Sequence, residues 1–262
     1  MLFSEKAFER EHIVVTGASR GIGREAALQL VSSGAFVTLT GRNRKKLEEV
    51  EGECQSRQGE VQVVIADLND EKDRRKLVKS VEEFAPVTGL VNSAGILNSG
   101  EADQISEEEL RSVMEVNYFS TAFLTQSLYE EMKKRKRGAV VNVTSLSGLR
   151  GTDGNLAYCA SKFALTGFTQ SFAHEAIRSN IRVNAVAPGF VDTEMGRQAV
   201  EAKAGREGRT FEEQWELAKA GNPSGRITTS SEVASAILFL LSEASGNIVG
   251  ESMKISGGSV MR

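Results

Sequence analysis

His12-Ile13-Val14-Val15-Thr16 runs straight into Gly17-Ala18-Ser19-Arg20-Gly21-Ile22-Gly23, and the reading of that joint decides the fold. A short β-rich run breaks into a glycine-rich turn, and residues 24–33 continue as a helix closed by Gly34. A strand that enters a helix through such a turn brings backbone N–H groups to the helix N-terminus, where a pyrophosphate fits. The spacing is Gly-x3-Gly-x-Gly. A tight strand-to-helix turn without a ligand has the same composition, so the motif alone leaves both readings open.

Outward from this joint the pattern repeats. Strands are expected at 35–40, 61–66, 88–91, 139–144, 181–187 and 252–255, and helices at about 69–84, 107–134, 156–179 and 231–241. No Pro/Gly-rich linker, repeat or low-complexity segment interrupts them. Strands alternating with helices predict an α/β fold: one Rossmann-type doubly wound parallel sheet of about seven strands, with helices on both faces, in a single domain over 1–262. The stretch 194–226 departs from the alternation. Its mixed charge, glycines and short helix near 211–219 suggest a lid over a substrate, with Phe211, Trp215 and Leu217 as candidates for shaping a pocket.

Ligands in open α/β sheets bind beyond the carboxyl ends of the strands. Arg42 follows the second strand, Asp67-Leu68 the third, Asn92-Ser93-Ala94-Gly95 the fourth, Ser145 the fifth and Pro188-Gly189 the sixth. An acidic residue after the second strand would hold a ribose 2′-hydroxyl. This chain offers Arg42 there, with Arg20 in the glycine turn, and both suit a 2′-phosphate unless they simply face solvent. Arg44, Lys45 and Lys46 read as the solvated face of the next helix.

Tyr158-Cys159-Ala160-Ser161-Lys162 carries the candidate chemistry. Positions i and i+4 share one helix face, which sets an ammonium near a phenol. The positive charge favours the phenolate, so the Tyr158 pKa is expected to fall toward the working pH. The competing account is a helix start with a buried tyrosine and a solvated lysine.

Composition removes several function classes. With 40% apolar and 26% charged residues and a net charge of −3, the 262-residue chain has no global field for nucleic acid or an anionic membrane. No apolar run approaches the length of a membrane span, and residues 1–11 lack the apolar core of a secretory signal. Cys54 and Cys159 have neither paired nor metal-ligand spacing and read as reduced thiols of a cytoplasmic protein. His12 and His174 are the only histidines, so neither a His-based metal site nor a Ser-His-Asp triad is easy to build; both read as structural. The basic run 133–137 suits a solvated helix C-terminus.

Taken together, Thr16 to Gly23, Asn92-Ser93-Ala94-Gly95, Asn117, Ser145, Tyr158-x3-Lys162 and Pro188-Gly189 resemble the classical short-chain dehydrogenases/reductases in order and spacing, over roughly residues 10–258. The resemblance implies an NADP(H)-dependent oxidoreductase that exchanges a carbonyl and a secondary alcohol. It implies that Tyr158 is the proton donor and acceptor, and that Lys162 lowers the Tyr158 pKa and holds the nicotinamide ribose. Ser145 would hold the substrate oxygen, with Ser147 a neighbouring decoy, and Asn117 would support a water leading from Lys162 to solvent. Cofactor contacts are implied for Gly17, Ser19, Arg20, Gly21, Ile22, Gly23, Arg42, Asp67, Leu68, Asn92, Ala94, Gly95, Tyr158, Lys162, Pro188, Gly189, Val191 and Thr193. The family's usual Asn-Asn-Ala-Gly is Asn92-Ser93-Ala94-Gly95 in this chain, a local hydrogen-bonding change at the second position.

The family also implies a homotetramer or homodimer through the helices at 107–134 and 156–179. Within it the chain resembles the 3-oxoacyl-[acyl-carrier-protein] reductases, and the run 133–137 with Arg178 and Arg182 would suit an acidic carrier protein. The stretch 194–226 is longer than is usual for them, which leaves another ketone or alcohol substrate open. Two further readings compete: a non-catalytic NADP-sensing regulator, which would have lost the tyrosine or lysine, and a nucleotide-sugar epimerase, which would need a longer C-terminal part.

Overall fold

Residues 3–261 are described by a computed structural model. The strands are β1 (His12–Thr16), β2 (Phe36–Gly41), β3 (Glu60–Ile65), β4 (Gly89–Asn92), β5 (Gly138–Val143), β6 (Ile181–Pro188), two short ones, β7 (Val191–Asp192) and β8 (Thr228–Thr229), and β9 (Ser252–Ile255). The helices are α1 (Gly21–Ser32), α2 (Arg44–Cys54), α3 (Glu71–Phe84), α4 (Glu107–Met114), α5 (Ser120–Arg135), α6 (Leu156–Ala176), α7 (Glu194–Arg206), α8 (Phe211–Ala220) and α9 (Ser230–Leu241). Seven strands form one parallel sheet in the order β3-β2-β1-β4-β5-β6-β9, and β7 pairs with β8 apart from it.

Period-two alternation explains why helices cover both faces. Ile13 and Val15 pack with Ala27 and Leu30 of α1 and Ile237 of α9, while Val14 points the other way, to Leu77 of α3, Leu128 of α5 and Phe172 of α6. All three β1 residues are 2% exposed or less, as befits a strand buried on both faces. Burying each such side chain contributes roughly 1.5–3 kcal/mol.

The strand order reverses between β1 and β4, which opens a crevice at their C-terminal ends. Thr16 is in register with both Thr40 and Asn92 there. Its Oγ1 accepts from the Ser93 and Ala94 N–H groups at 3.0 and 3.1 Å, which pins the loop after β4 beside the glycine turn.

Three expectations need correction. The single helix over 107–134 is two helices joined by a π-helical turn, Glu115–Phe119, which rolls Asn117 fully inward. The stretch after Thr193, read as irregular, is the thirteen-residue helix α7. Its Gly196 is set by close approach and does not break the helix: a Cβ would lie 2.0 Å from the Val191 carbonyl oxygen. Arg182 faces inward and cannot dock a partner. Its guanidinium donates to the carbonyls of Leu240 and Leu241 at 2.6 and 2.9 Å, closing the C-terminal end of α9. Among the described residues no helix is long and apolar enough to cross a membrane.

Candidate active site

One cleft of about 1040 Å³ lies along the C-terminal edge of the sheet. The glycine turn forms its floor at one end. Gly17 has φ +63°, and a Cβ on it would sit 2.9 Å from the Ala94 Cα, so only glycine lets the two loops touch. Gly23 is needed one turn later, where a Cβ would lie 2.5 Å from the Gly17 oxygen. No side chain caps the N-terminus of α1, so its first N–H groups remain available to an anion.

Cations gather at this end, and one carboxylate sorts them. Glu194, the first residue of α7, pairs with Arg20 at 2.6 Å and with Lys46 of α2 at 3.8 Å. The Arg20 guanidinium holds the Glu194 carboxyl below its ordinary range. Lys46 belongs to the cleft wall and not only to a solvated face, a correction that follows from where α7 docks. Arg42 also lines the cleft, is exposed, and has no carboxylate within 4.0 Å among the described residues.

Tyr158, Lys162 and Ser145 line the middle of the cleft. Tyr158 and Lys162 lie one turn apart on α6, with the Lys162 Nζ 5.6 Å from the phenol ring centre. That Nζ donates to the Val143 carbonyl at 2.9 Å, at the end of β5. Ser145 follows two residues later, and its Oγ accepts from the Ser147 N–H at 3.0 Å. Ser147 therefore braces the loop as well as lining the cleft.

The expected fall in the Tyr158 pKa is not what the structure shows. Burial pushes the phenol up to about 12, against the pull of the Ser145 hydroxyl. Burial also lowers the Lys162 ammonium to about 8. Either group would carry its charge within low-polarity walls, and desolvation is the largest cause of both shifts. Burial thus favours the neutral form of Tyr158.

Three expected site residues stand behind the wall. Gly23 packs on Gly17, as above. Asn92 donates from Nδ2 to Thr125 Oγ1 at 2.9 Å and Asn142 Oδ1 at 2.8 Å, tying β4 to β5 and α5. Asn117 accepts the Ile96 N–H at 2.8 Å, and its Nδ2 donates to the Ile96 carbonyl and to Ser161 Oγ, each at 3.0 Å. Ser161 in turn donates to the Tyr158 carbonyl at 2.8 Å. The π-helical turn so connects the loop after β4 to the first turn of α6. Every other expected residue, from Ser19, Gly21 and Ile22 through Asp67, Leu68, Ala94 and Gly95 to Pro188, Gly189, Val191 and Thr193, lines the cleft.

Helix α8 presents Gln214, Leu217 and Ala218 to the cleft. Phe211 and Trp215, expected there, stack on each other at 5.5 Å on another face, with Arg197 over Trp215 at 5.0 Å. The reason is helical phase: at about 100° per residue, Trp215 points roughly 100° from Gln214 and about 160° from Leu217. Arg150 and Arg206 line the far end and were not foreseen, because no local spacing marks them.

A short chain dehydrogenase profile matches residues 11–204 of this chain. The chain belongs to the short-chain dehydrogenase family. Nodulation protein G of Rhizobium sp. (strain N33) is 35% identical over 95% of this dehydrogenase and 96% of its own length. A 3-oxoacyl-[acyl-carrier-protein] reductase FabG of Thermotoga maritima is 33% identical over 95% and 97%. Among solved structures, an actinorhodin polyketide ketoreductase with NADPH superposes with a TM-score of 0.91 at 29% identity, covering 98% of this dehydrogenase and 99% of that chain.

Proposed function

We propose that this dehydrogenase uses NADP(H) to interconvert a carbonyl and a secondary alcohol, with Tyr158 as the proton-carrying group. The observation that carries the reading is one cleft holding a glycine turn against α1, Arg42 with no carboxylate partner among the described residues, and Tyr158, Ser145 and Lys162 together. A dinucleotide fits these residues. Gly17 lets the loop after β4 close on the turn, the free N–H groups of α1 suit its pyrophosphate, and Arg42 suits a 2′-phosphate. The ketoreductase and FabG relatives agree with such chemistry. When bound, the nicotinamide supplies or takes up the hydride.

The chain's own residues supply position and a proton. Ser145 holds the carbonyl oxygen next to Tyr158, and the Tyr158 hydroxyl gives its proton to that oxygen as carbonyl becomes alcohol. A phenol raised by burial stays protonated at neutral pH, which suits the reducing direction. The phenolate left behind is stabilised by the Lys162 ammonium on the same helix face, until solvent returns the proton. Asn117 acts through Ser161 to hold the first turn of α6. Helices α7 and α8 serve as a lid over the substrate side, within what we take to be a single domain.

The test is oxidation of NADPH, followed by absorbance, on a panel of ketones and 3-oxoacyl thioesters. Turnover of at least one carbonyl that Tyr158→Phe lowers by roughly 10²-fold or more supports the reading. Tight NADPH binding with no carbonyl turned over would instead support a nucleotide sensor.

A further inference from the structure

The two ends of the cleft differ in how their cations are used. At the far end the loop after β5, residues 150–155, meets the last turn of α7. There Arg206 lies on Gly154. A Cβ at that glycine would be 2.8 Å from the guanidinium carbon and 2.9 Å from Nε, so the planar group rests on bare backbone. The platform is fixed. Gly154 has φ +64°, and its carbonyl accepts from the Gly100 N–H at 3.0 Å.

Neighbouring cations are occupied. Lys203 pairs with Glu207 at 3.7 Å, and Arg209 pairs with Glu207 and donates to Gln214 at 3.0 Å. Arg206 has no carboxylate within 4.0 Å among the described residues, and neither does Arg150 at the start of the same loop. Asp153 is the other acid lining this end, so positive charge remains in excess. The loop leads directly into α6 and Tyr158, and Ile96, Leu97 and Leu217 give the cleft an apolar lining. A seated guanidinium in a concave wall suits bidentate binding of a carboxylate or phosphate.

We propose that Arg206, assisted by Arg150, binds an anionic group of the substrate, a carboxylate or phosphate, remote from the reacting carbonyl. This rests on the carbonyl-reductase reading and adds a substrate class to it: a carbonyl compound that bears an anionic group remote from the carbonyl. The same chemistry serves a free keto acid and a carbonyl compound carried on a phosphate-bearing thioester.

Matched pairs separate these sources. With NADPH saturating, a δ-keto carboxylate is compared with its methyl ester, and acetoacetyl-CoA with the N-acetylcysteamine thioester that lacks phosphate. The expected result is a preference of roughly tenfold or more in kcat/KM for the anionic member of at least one pair. Arg206→Gln should collapse that ratio through KM, with the Kd for NADPH kept. The ratio is the readout, so a variant that merely folds less well lowers both members together and leaves it intact. Equal kcat/KM within both pairs overturns the proposal, as does a preference that survives in Arg206→Gln combined with Arg150→Gln. If no carbonyl is reduced, the reductase reading fails by itself. Calorimetric titration of the keto acid and its ester into the NADP⁺-saturated protein then decides. Acid-selective binding lost in Arg206→Gln upholds the anion site, and its absence overturns it.

Discussion

A single hydroxyl carries the proton in the proposed reaction. Tyr158→Phe removes that proton and little volume, so activity should fall by roughly 10²–10⁴-fold while NADPH binding holds. Near-normal turnover in that variant would take Tyr158 out of the mechanism. Arg42 tests the cofactor. A charge-assisted contact to a 2′-phosphate is worth on the order of 1.5–3 kcal/mol, so Arg42→Ala should weaken NADPH by roughly tenfold or more and leave NADH nearly unchanged. Equal weakening of both cofactors would defeat the assignment. Lys162 has a stability signature. Its folded pKa is lowered to about 8 from 10.5, so between those values the unfolded chain holds a proton that the folded one has lost. Unfolding stability from this group therefore rises with pH over that window. The cofactor-free protein should gain on the order of 1–3 kcal/mol from pH 8 to 10 relative to Lys162→Met, measured by urea unfolding at each pH. A constant difference between the two proteins would contradict the burial of that charge.

Among the elements, α7 has the most to say about function. Its first residue, Glu194, takes Arg20 and Lys46, and its last, Arg206, sits on the loop before Tyr158. The helix therefore spans both ends of the cleft. A 2′-phosphate would compete with Glu194 for the same two cations. Glu194→Gln should tighten NADPH up to about fivefold, the range of an exposed ion pair, and affect NADH much less. Fluorescence titration with both cofactors checks this, and an unchanged NADPH-to-NADH affinity ratio would show that Glu194 does not compete. The π-helical turn between α4 and α5 is the other element with a visible job. It turns Asn117 inward to bridge the loop after β4 and α6, which an unbroken α-helix could not do in that register.

At the scale of the molecule, the helices flanking β5 leave apolar surface uncovered. Phe119 and Phe123 are 40% and 44% exposed, and Leu156 and Phe163 are 48% and 45%. They lie on the π-helical turn, α5 and α6, the helices for which the sequence suggests subunit contact. Exposed apolar side chains on adjacent elements would suit an association surface. We expect a homodimer or homotetramer. Light scattering at micromolar concentration should give a multiple of 28.3 kDa, and Phe123→Glu should shift the mass downward. A monomer mass for the unmodified protein would exclude the interface.

Much of this was legible in the chain alone. Strand and helix periods, the glycine turn after β1 and the four-residue step from Tyr158 to Lys162 are local, and local steric and hydrophobic patterns determine them wherever they occur. The order of loops along the sheet edge followed from the alternation, and with it most of the cleft. What no local pattern encodes is which side chains from distant segments meet, and how much water they lose on meeting. Arg182 was expected at a surface and closes α9; Lys46 is exposed as read but also meets Glu194; Arg206 had no signal until α7 laid it on Gly154. The direction of the Tyr158 shift turned on the same point. Spacing fixed the ammonium one turn away, but the walls around both groups arise from β5, α6 and the loop after β4, and desolvation by those walls decided the sign.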